Sequence, residues 1–178
     1  MRVAIVSESF PPDVNGVAHS VVRVAEHLLR RGHKPMVIAP EPASGLARVA
    51  GAQPYPVVRV PSVAMPGYPT FRLGLPSRRI SAAMISHGTD LVHLAAPFFL
   101  GARGSAVAQH LDLPTVAVYQ TDVPGYAGVY GRRAAAMLRV NTLGEAAAWR
   151  WLRGIHNAAD RTLAPSTASA TALHEHGV

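Results

Sequence analysis

Three stretches of this chain put polar or conformationally special residues directly after short apolar runs, and chemistry is expected there. The first is Glu8-Ser9-Phe10-Pro11-Pro12-Asp13-Val14-Asn15-Gly16. Two adjacent prolines remove backbone donors and fix φ, and Asn15-Gly16 is the strongest turn signal in the sequence. From Val17 the period becomes helical. A glycine at a helix start lies beside unsatisfied N–H groups and the positive end of the helix dipole, which together favour an anion. Asn15, Gly16 and Val17 are therefore expected around an anion. The loop lacks a Gly-x-Gly-x-x-Gly and a Gly-x-x-x-x-Gly-Lys-Ser/Thr pattern, which disfavours a nicotinamide cofactor or a P-loop here. A looser anion site on a longer loop suits a sugar nucleotide. The plain alternative is an ordinary first βα unit in which Gly16 only permits a turn.

The second stretch is Ala95 to Pro97 and the third is Gln120 to Tyr130. Gln120 stands at a strand mouth, where a long amide has little structural purpose. It can bond sugar hydroxyls but cannot exchange a proton at neutral pH. Asp122 can hold hydroxyls or act as a base, or it can cap the following helix. Tyr126 can stack on a sugar ring or serve packing. Ser166, after the last strand, is a cap or a ligand. Gln120 and Asp122 are the candidates nearest the reaction. Glu8, Pro97, Thr121, Tyr126 and Ser166 are the candidates for the acceptor.

Other chemistries find little support. The nine histidines are scattered and no His-Glu-x-x-His occurs, so neither metal nor cofactor is expected. His93 lies inside a strand, where a core histidine is the simpler reading. No Gly-x-Ser-x-Gly elbow exists, which weakens a hydrolase reading. With no cysteine, disulfides and thiolate sites are ruled out.

The positioning elements follow from periodicity. Met1 to Ser7 reads as a strand. Val17, Val21, Val24 and Leu28 recur at helical spacing until Gly32. Strands are expected at Lys34 to Ala39, Val57 to Val60, Asp90 to Leu94, Thr115 to Tyr119 and Arg161 to Ala164. Helices are expected from Ser77 to His87, from Pro97 to Leu111, up to Ala158, and after Ser166 or Thr167. In the long one, Trp149, Leu152, Ile155 and Ala159 form an apolar stripe. Ser44 to Pro56 reads as a surface loop. Pro61 to Pro76 reads as irregular, with at most a short strand at Phe71 to Leu73. This alternation predicts an α/β, Rossmann-like parallel sheet with helices on both faces. The three loops then meet at the carboxyl edge, where open α/β sheets bind ligands.

Length and composition bound the rest. The 178 residues, 49% hydrophobic, make one ordinary domain with a real core. No apolar run reaches the length of a membrane span. The first strand starts at once, leaving no room for a signal peptide, so the cytoplasm is the expected compartment. The net charge of +7 favours anionic partners. The arginines are dispersed and no nucleic-acid motif is present, so nucleic acid is not an expected partner. The last helix stops at Val178, which reads as one domain of a longer protein.

Glu8-Ser-Phe-Pro-Pro-Asp-Val-Asn-Gly-Val, Asp90-Leu-Val-His-Leu, Tyr119-Gln-Thr-Asp-Val-Pro-Gly-Tyr and Ala159-Asp-Arg-Thr-Leu-Ala-Pro-Ser together resemble the retaining GT-B glycosyltransferases of the family 4 type. The subgroup is similar to actinobacterial GDP-mannose-dependent α-mannosyltransferases, with sulfoquinovosyl- and phosphatidylinositol mannosyltransferases as relatives. The resemblance implies that residues 1–178 are the N-terminal, acceptor-side domain. A C-terminal domain would carry most of the sugar nucleotide and the paired glutamates. It implies Gly16 beside the donor diphosphate. It puts Gln120 where many relatives have a histidine near the reacting sugar, and there this sequence departs from them. Retaining members are thought to react on one sugar face with help from the leaving phosphate, so no protein base is required.

The expected function is transfer of mannose from GDP-mannose to a lipid or glycan acceptor. A sulfoquinovosyl- or glucosyltransferase using a UDP-sugar is the alternative, and a non-catalytic binding module is the alternative of another class. Pro61 to Arg79 adds a membrane expectation. Met65, Tyr68, Phe71, Leu73 and Leu75 lie beside Arg72, Arg78 and Arg79, and each basic residue near an anionic surface is worth about 1 kcal/mol. Against this stands a solvated loop whose aromatics turn inward.

Overall fold

A computed structural model describes residues 1–43, 51–65, 68–96, 98–120 and 142–178. In chain order the elements are β1 (Arg2–Val6), α1 (Gly16–Arg30), β2 (Lys34–Pro40), β3 (Val57–Val60), β4 (Ser62–Met65), β5 (Tyr68–Gly74), α2 (Arg78–His87), β6 (Leu91–Leu94), α3 (Phe99–His110), β7 (Thr115–Val118), α4 (Thr142–His156), β8 (Arg161–Leu163) and α5 (Thr167–Glu175). Six strands form one sheet in the order β3-β2-β1-β6-β7-β8, and every pair in it is parallel. The order reverses between β1 and β6, so the loops after these two strands open a crevice between them.

The strands read as near-continuous apolar runs because both faces are covered. Along β1 the period of two sends Ala4 and Val6 to one side, with Met36, Ile38, Val92 and Leu94, under Ile80 and Met84 of α2 and Leu100 of α3. Val3 and Ile5 go to the other side, with Val37 and Ala39, under Val21 and Ala25 of α1. Trp149 and Leu152 of α4 join Tyr119 and Leu173 in a third cluster. The stripe expected in α4 is buried at Trp149, Leu152 and Ile155. Ala159 lies just past the helix and packs on the main core.

Helix boundaries follow their caps. Asn15 Oδ1 accepts from the N–H of Ala18 to start α1, Ser77 from that of Arg79 to start α2, and Ser166 from that of Ser169 to start α5. α3 begins differently. Its cap position, Phe98, makes no side-chain cap bond. The helix also approaches the sheet closely: a Cβ at Gly101 would stand 1.9 Å from the Ala96 carbonyl oxygen, and one at Gly104 would stand 3.0 Å from Val6 Cγ1.

One expectation is overturned. The short strand expected at Phe71 to Leu73 lies within β5, but the rest of Pro61 to Pro76 is not irregular: β4 pairs antiparallel with β5, with an irregularity between Ala64 and Met65. Pro61 and Pro76 lie outside the two strands, and Pro69, within β5, fits because a two-stranded ribbon leaves each strand one unpaired edge where no donor is needed. Of the loop expected at residues 44–56, residues 51–56 carry no regular structure, and Tyr55 there is buried.

Candidate functional site

The loop after β1 is built by its own side chains. Ser7 Oγ donates to the Ser9 carbonyl at 2.8 Å and accepts from the Ser9 N–H at 3.2 Å. Ser9 Oγ donates to Asp13 Oδ2 at 3.2 Å and receives Asn15 Nδ2 at 2.7 Å. Asn15 Oδ1 then takes the Ala18 N–H at 2.9 Å, and the Asn15 carbonyl takes that of His19 at 3.1 Å. The N–H groups of Gly16 and Val17 form no hydrogen bond among the described residues. A Cβ on Gly16 would meet nothing within 4 Å. The fold therefore does not require glycine at 16, which is what an external group close to this backbone would explain.

Arg59, on β3, was not legible as a site residue, because an arginine in a short strand reads as an exposed charge. It donates to the carbonyls of Pro40, at 2.8 Å, and Pro11, and its guanidinium stands 5.2 Å from the Phe10 ring centre. It pins the β1–α1 loop to the ends of β2 and β3. Burial raises the Asp13 carboxyl above its usual range, against the Ser9 hydroxyl and the Arg59 charge, which lower it.

Glu8 is only 1% exposed. Its carboxylate accepts the Leu100 N–H through both oxygens, at 3.0 and 3.1 Å, and the Gly74 N–H at 3.3 Å. Burial pushes its pKa up to about 7, although the N–H groups of Leu100, Gly74 and Gly101 pull the other way. The carboxylate thus serves backbone donors inside the protein rather than an acceptor hydroxyl.

Gln120, at the mouth of β7, donates from Nε2 to the Ala95 carbonyl at 2.6 Å. A long amide does have a structural purpose here: it ties the end of β7 to the end of β6, on the rim of the crevice. Ser166 is engaged as the cap of α5. Asp160, in the last quoted motif, accepts from the N–H and hydroxyl of Thr115 at 2.8 and 2.9 Å. Those bonds hold its carboxyl below the usual range. Burial lowers the His93 pKa to about 4, so the ring is neutral within β6. Pro97, Thr121, Asp122 and Tyr126 lie outside the described residues. The structure therefore brings Glu8, Asn15, Gly16, Val17 and Gln120 to one edge. A groove of about 560 Å³ between α3 and α4 contains none of the expected site residues.

The model of Glycosyltransferase Family 4 matches residues 14–178. The chain is 48% identical, over all its length, to 45% of a GDP-mannose-dependent alpha-mannosyltransferase of Mycobacterium tuberculosis. It is 39% identical, again over all its length, to 41% of the enzyme of that description from Corynebacterium glutamicum. An alpha-monoglucosyldiacylglycerol synthase of Acholeplasma laidlawii is 33% identical over 71% of this chain and 31% of its own length. The chain thus spans less than half the length of these relatives. Among solved structures, the UDP-GlcNAc 2-epimerase of Methanocaldococcus jannaschii superimposes with a TM-score of 0.54 at 13% identity, over 100% of this chain and 43% of that one. The S. aureus MnaA–UDP structure gives 0.55 at 12%, over 99% and 40%. At such identities the likeness concerns the fold alone.

Proposed function

The chain belongs to glycosyltransferase family 4, and from that premise we propose that it is the N-terminal, acceptor-side domain of a retaining glycosyltransferase moving mannose from GDP-mannose to a lipid or glycan acceptor. One observation carries the site: the start of α1 opens beside the β1/β6 crevice with leading N–H groups that form no bond among the described residues, and the Gly16 position is not filled by the fold. A diphosphate fits that combination of donors, dipole and open space. Mannose and guanosine are chosen because the relatives matching the whole chain at 39% and 48% identity use GDP-mannose. Glucosyl- or sulfoquinovosyl transfer from a UDP-sugar is the second reading, and the 33% match to an alpha-monoglucosyldiacylglycerol synthase favours its glucosyl form.

In this reading the chain's own contribution is binding and orientation. Gly16 and Val17 offer backbone donors to the diphosphate. Gln120, anchored on Ala95, offers its amide to sugar hydroxyls, and the sequence assigns Asp122 to the same reaction. Thr121, Tyr126 and Pro97 contact the acceptor. No cofactor or metal is assigned to this domain, and a separate C-terminal domain supplies the remaining donor contacts. The protein works at the cytoplasmic face of the membrane. That placement draws on the hairpin, where Val63 is 44% exposed and Met65 and Leu75 are each 38% exposed. No helix among the described residues is long and apolar enough to cross a membrane.

The test is donor turnover by the full-length protein and its Gly16→Val variant, with GDP-mannose and UDP-glucose compared. GDP-mannose turnover that the substitution cripples, without loss of stability, is the expected result. Near-normal donor affinity in the variant defeats the site, and turnover of UDP-glucose alone defeats the choice of donor.

A further inference from the structure

We propose that Glu8 is a positioning residue that sets the distance between the starts of α1 and α3, and with it the width of the crevice; the proposal rests on that crevice being the donor site. α3 lacks a side-chain cap of its own at Phe98. Glu8, 92 positions away in sequence, supplies it by accepting the Leu100 N–H with both oxygens. A local Ser, Thr or Asp would cap α3 without burying a carboxylate. A distant cap adds something a local one cannot, because it joins the helix to another segment.

That segment is held firmly. Ser7 and Ser9 close a hydrogen-bonded turn over Glu8. Ser9 Oγ receives Asn15 Nδ2, and Asn15 Oδ1 receives the Ala18 N–H. An unbroken series of bonds and chain therefore runs from Leu100 through Glu8, Ser9 and Asn15 to the first turn of α1. The hairpin enters the same junction through Gly74, whose N–H donates to Glu8. The start of α3 and the end of β5 thus meet at one carboxylate, which the Ser9–Asn15 bonds link to the start of α1 across the point where the strand order reverses. A change there moves the α1 start relative to the opposite rim without touching any group that contacts the donor.

The experiment uses the full-length protein with Glu8→Ala and Glu8→Gln. Glutamine keeps the volume and one acceptor oxygen, so it carries the test if alanine does not fold. Amide exchange is read at Leu100, which Glu8 touches, and at Ala18, which it does not. Loss of a bond to a charged acceptor corresponds to about tenfold or more. The expected result is faster exchange at both amides, by about tenfold in the Glu8→Ala variant and less in Glu8→Gln, with KM for the sugar nucleotide rising more than kcat falls. The Gly16→Val variant is measured in parallel. If Gly16→Val leaves the donor KM unchanged, the crevice reading fails, while exchange at Ala18 still decides the role of Glu8. Unchanged exchange at Ala18 makes Glu8 a local cap and overturns the proposal. So does an unchanged donor KM in the Glu8 variants when Gly16→Val raises it.

Discussion

The Glu8 carboxyl should make the stability of the protein depend on pH in a defined window. In the folded chain its pKa lies at about 7, against 4.5 for an unperturbed glutamate, because burial outweighs the N–H groups of Leu100 and Gly74. Between these values the folded state binds more protons at this position than the unfolded state. Stability from this group is therefore fully present below 4.5, declines as pH rises, and is lost above about 7. At 1.36 kcal/mol per pH unit, that gap amounts to about 3 kcal/mol. Glu8→Gln removes the titration while keeping the volume. The assay is urea unfolding of both proteins, followed by circular dichroism, at about pH 4.5 and about pH 8. The stability difference between the two proteins should shift by about 3 kcal/mol in the variant's favour from the acid to the alkaline end. Other titrating groups cancel in this comparison. A stability difference that does not change with pH would refute the reasoning, since the carboxyl would then titrate alike in both states.

Other outcomes follow from single contacts. Gly101→Ala places a methyl against the Ala96 carbonyl and should cost about 2 kcal/mol net of the better helix propensity; an unchanged melting temperature would mean that α3 can back away from the sheet. Gln120→Ala removes the donor to Ala95 and should lower turnover of the full-length protein about tenfold with the fold intact; unaltered kinetics would make Gln120 purely structural. Changing Arg72, Arg78 and Arg79 to Ser should weaken binding to anionic vesicles at low salt by about 2 kcal/mol rather than three full charges' worth, because Arg79 is already ion-paired with Glu41. Equal co-sedimentation of both proteins would remove the hairpin as a contact.

What the sequence disclosed was set by local chemistry. The strands of the main sheet and the caps Ser77 and Ser166 were readable because apolar period and cap residues are encoded within a few positions. The hairpin was not, because its four prolines from Pro61 to Pro76 dominate any local reading, and only pairing between Ser62–Met65 and Tyr68–Gly74 makes it a ribbon. Gly16 stood out at the end of a loop rich in turn signals. Glu8 and Arg59 did not reveal their parts, since a carboxylate that caps a helix 92 residues away and a guanidinium that fastens two proline carbonyls are long-range facts. Gln120 stands out in the sequence because a long amide at a strand mouth reads as having no structural purpose. Its amide is anchored, and only the partner carbonyl of Ala95 reveals that.

The hairpin enters and leaves through one doorway. The Leu75 N–H donates to the Pro61 carbonyl at 2.7 Å, so the two ends of the excursion touch. A segment whose ends already meet can be exchanged for another with little change in closure entropy. The hairpin is therefore a natural graft: a ribbon from another family member, spliced between Pro61 and Leu75, would re-dress this surface while the six-stranded sheet beneath stays as it is. Its attachments to Glu8, Glu41, Phe98 and Leu100 would have to be matched.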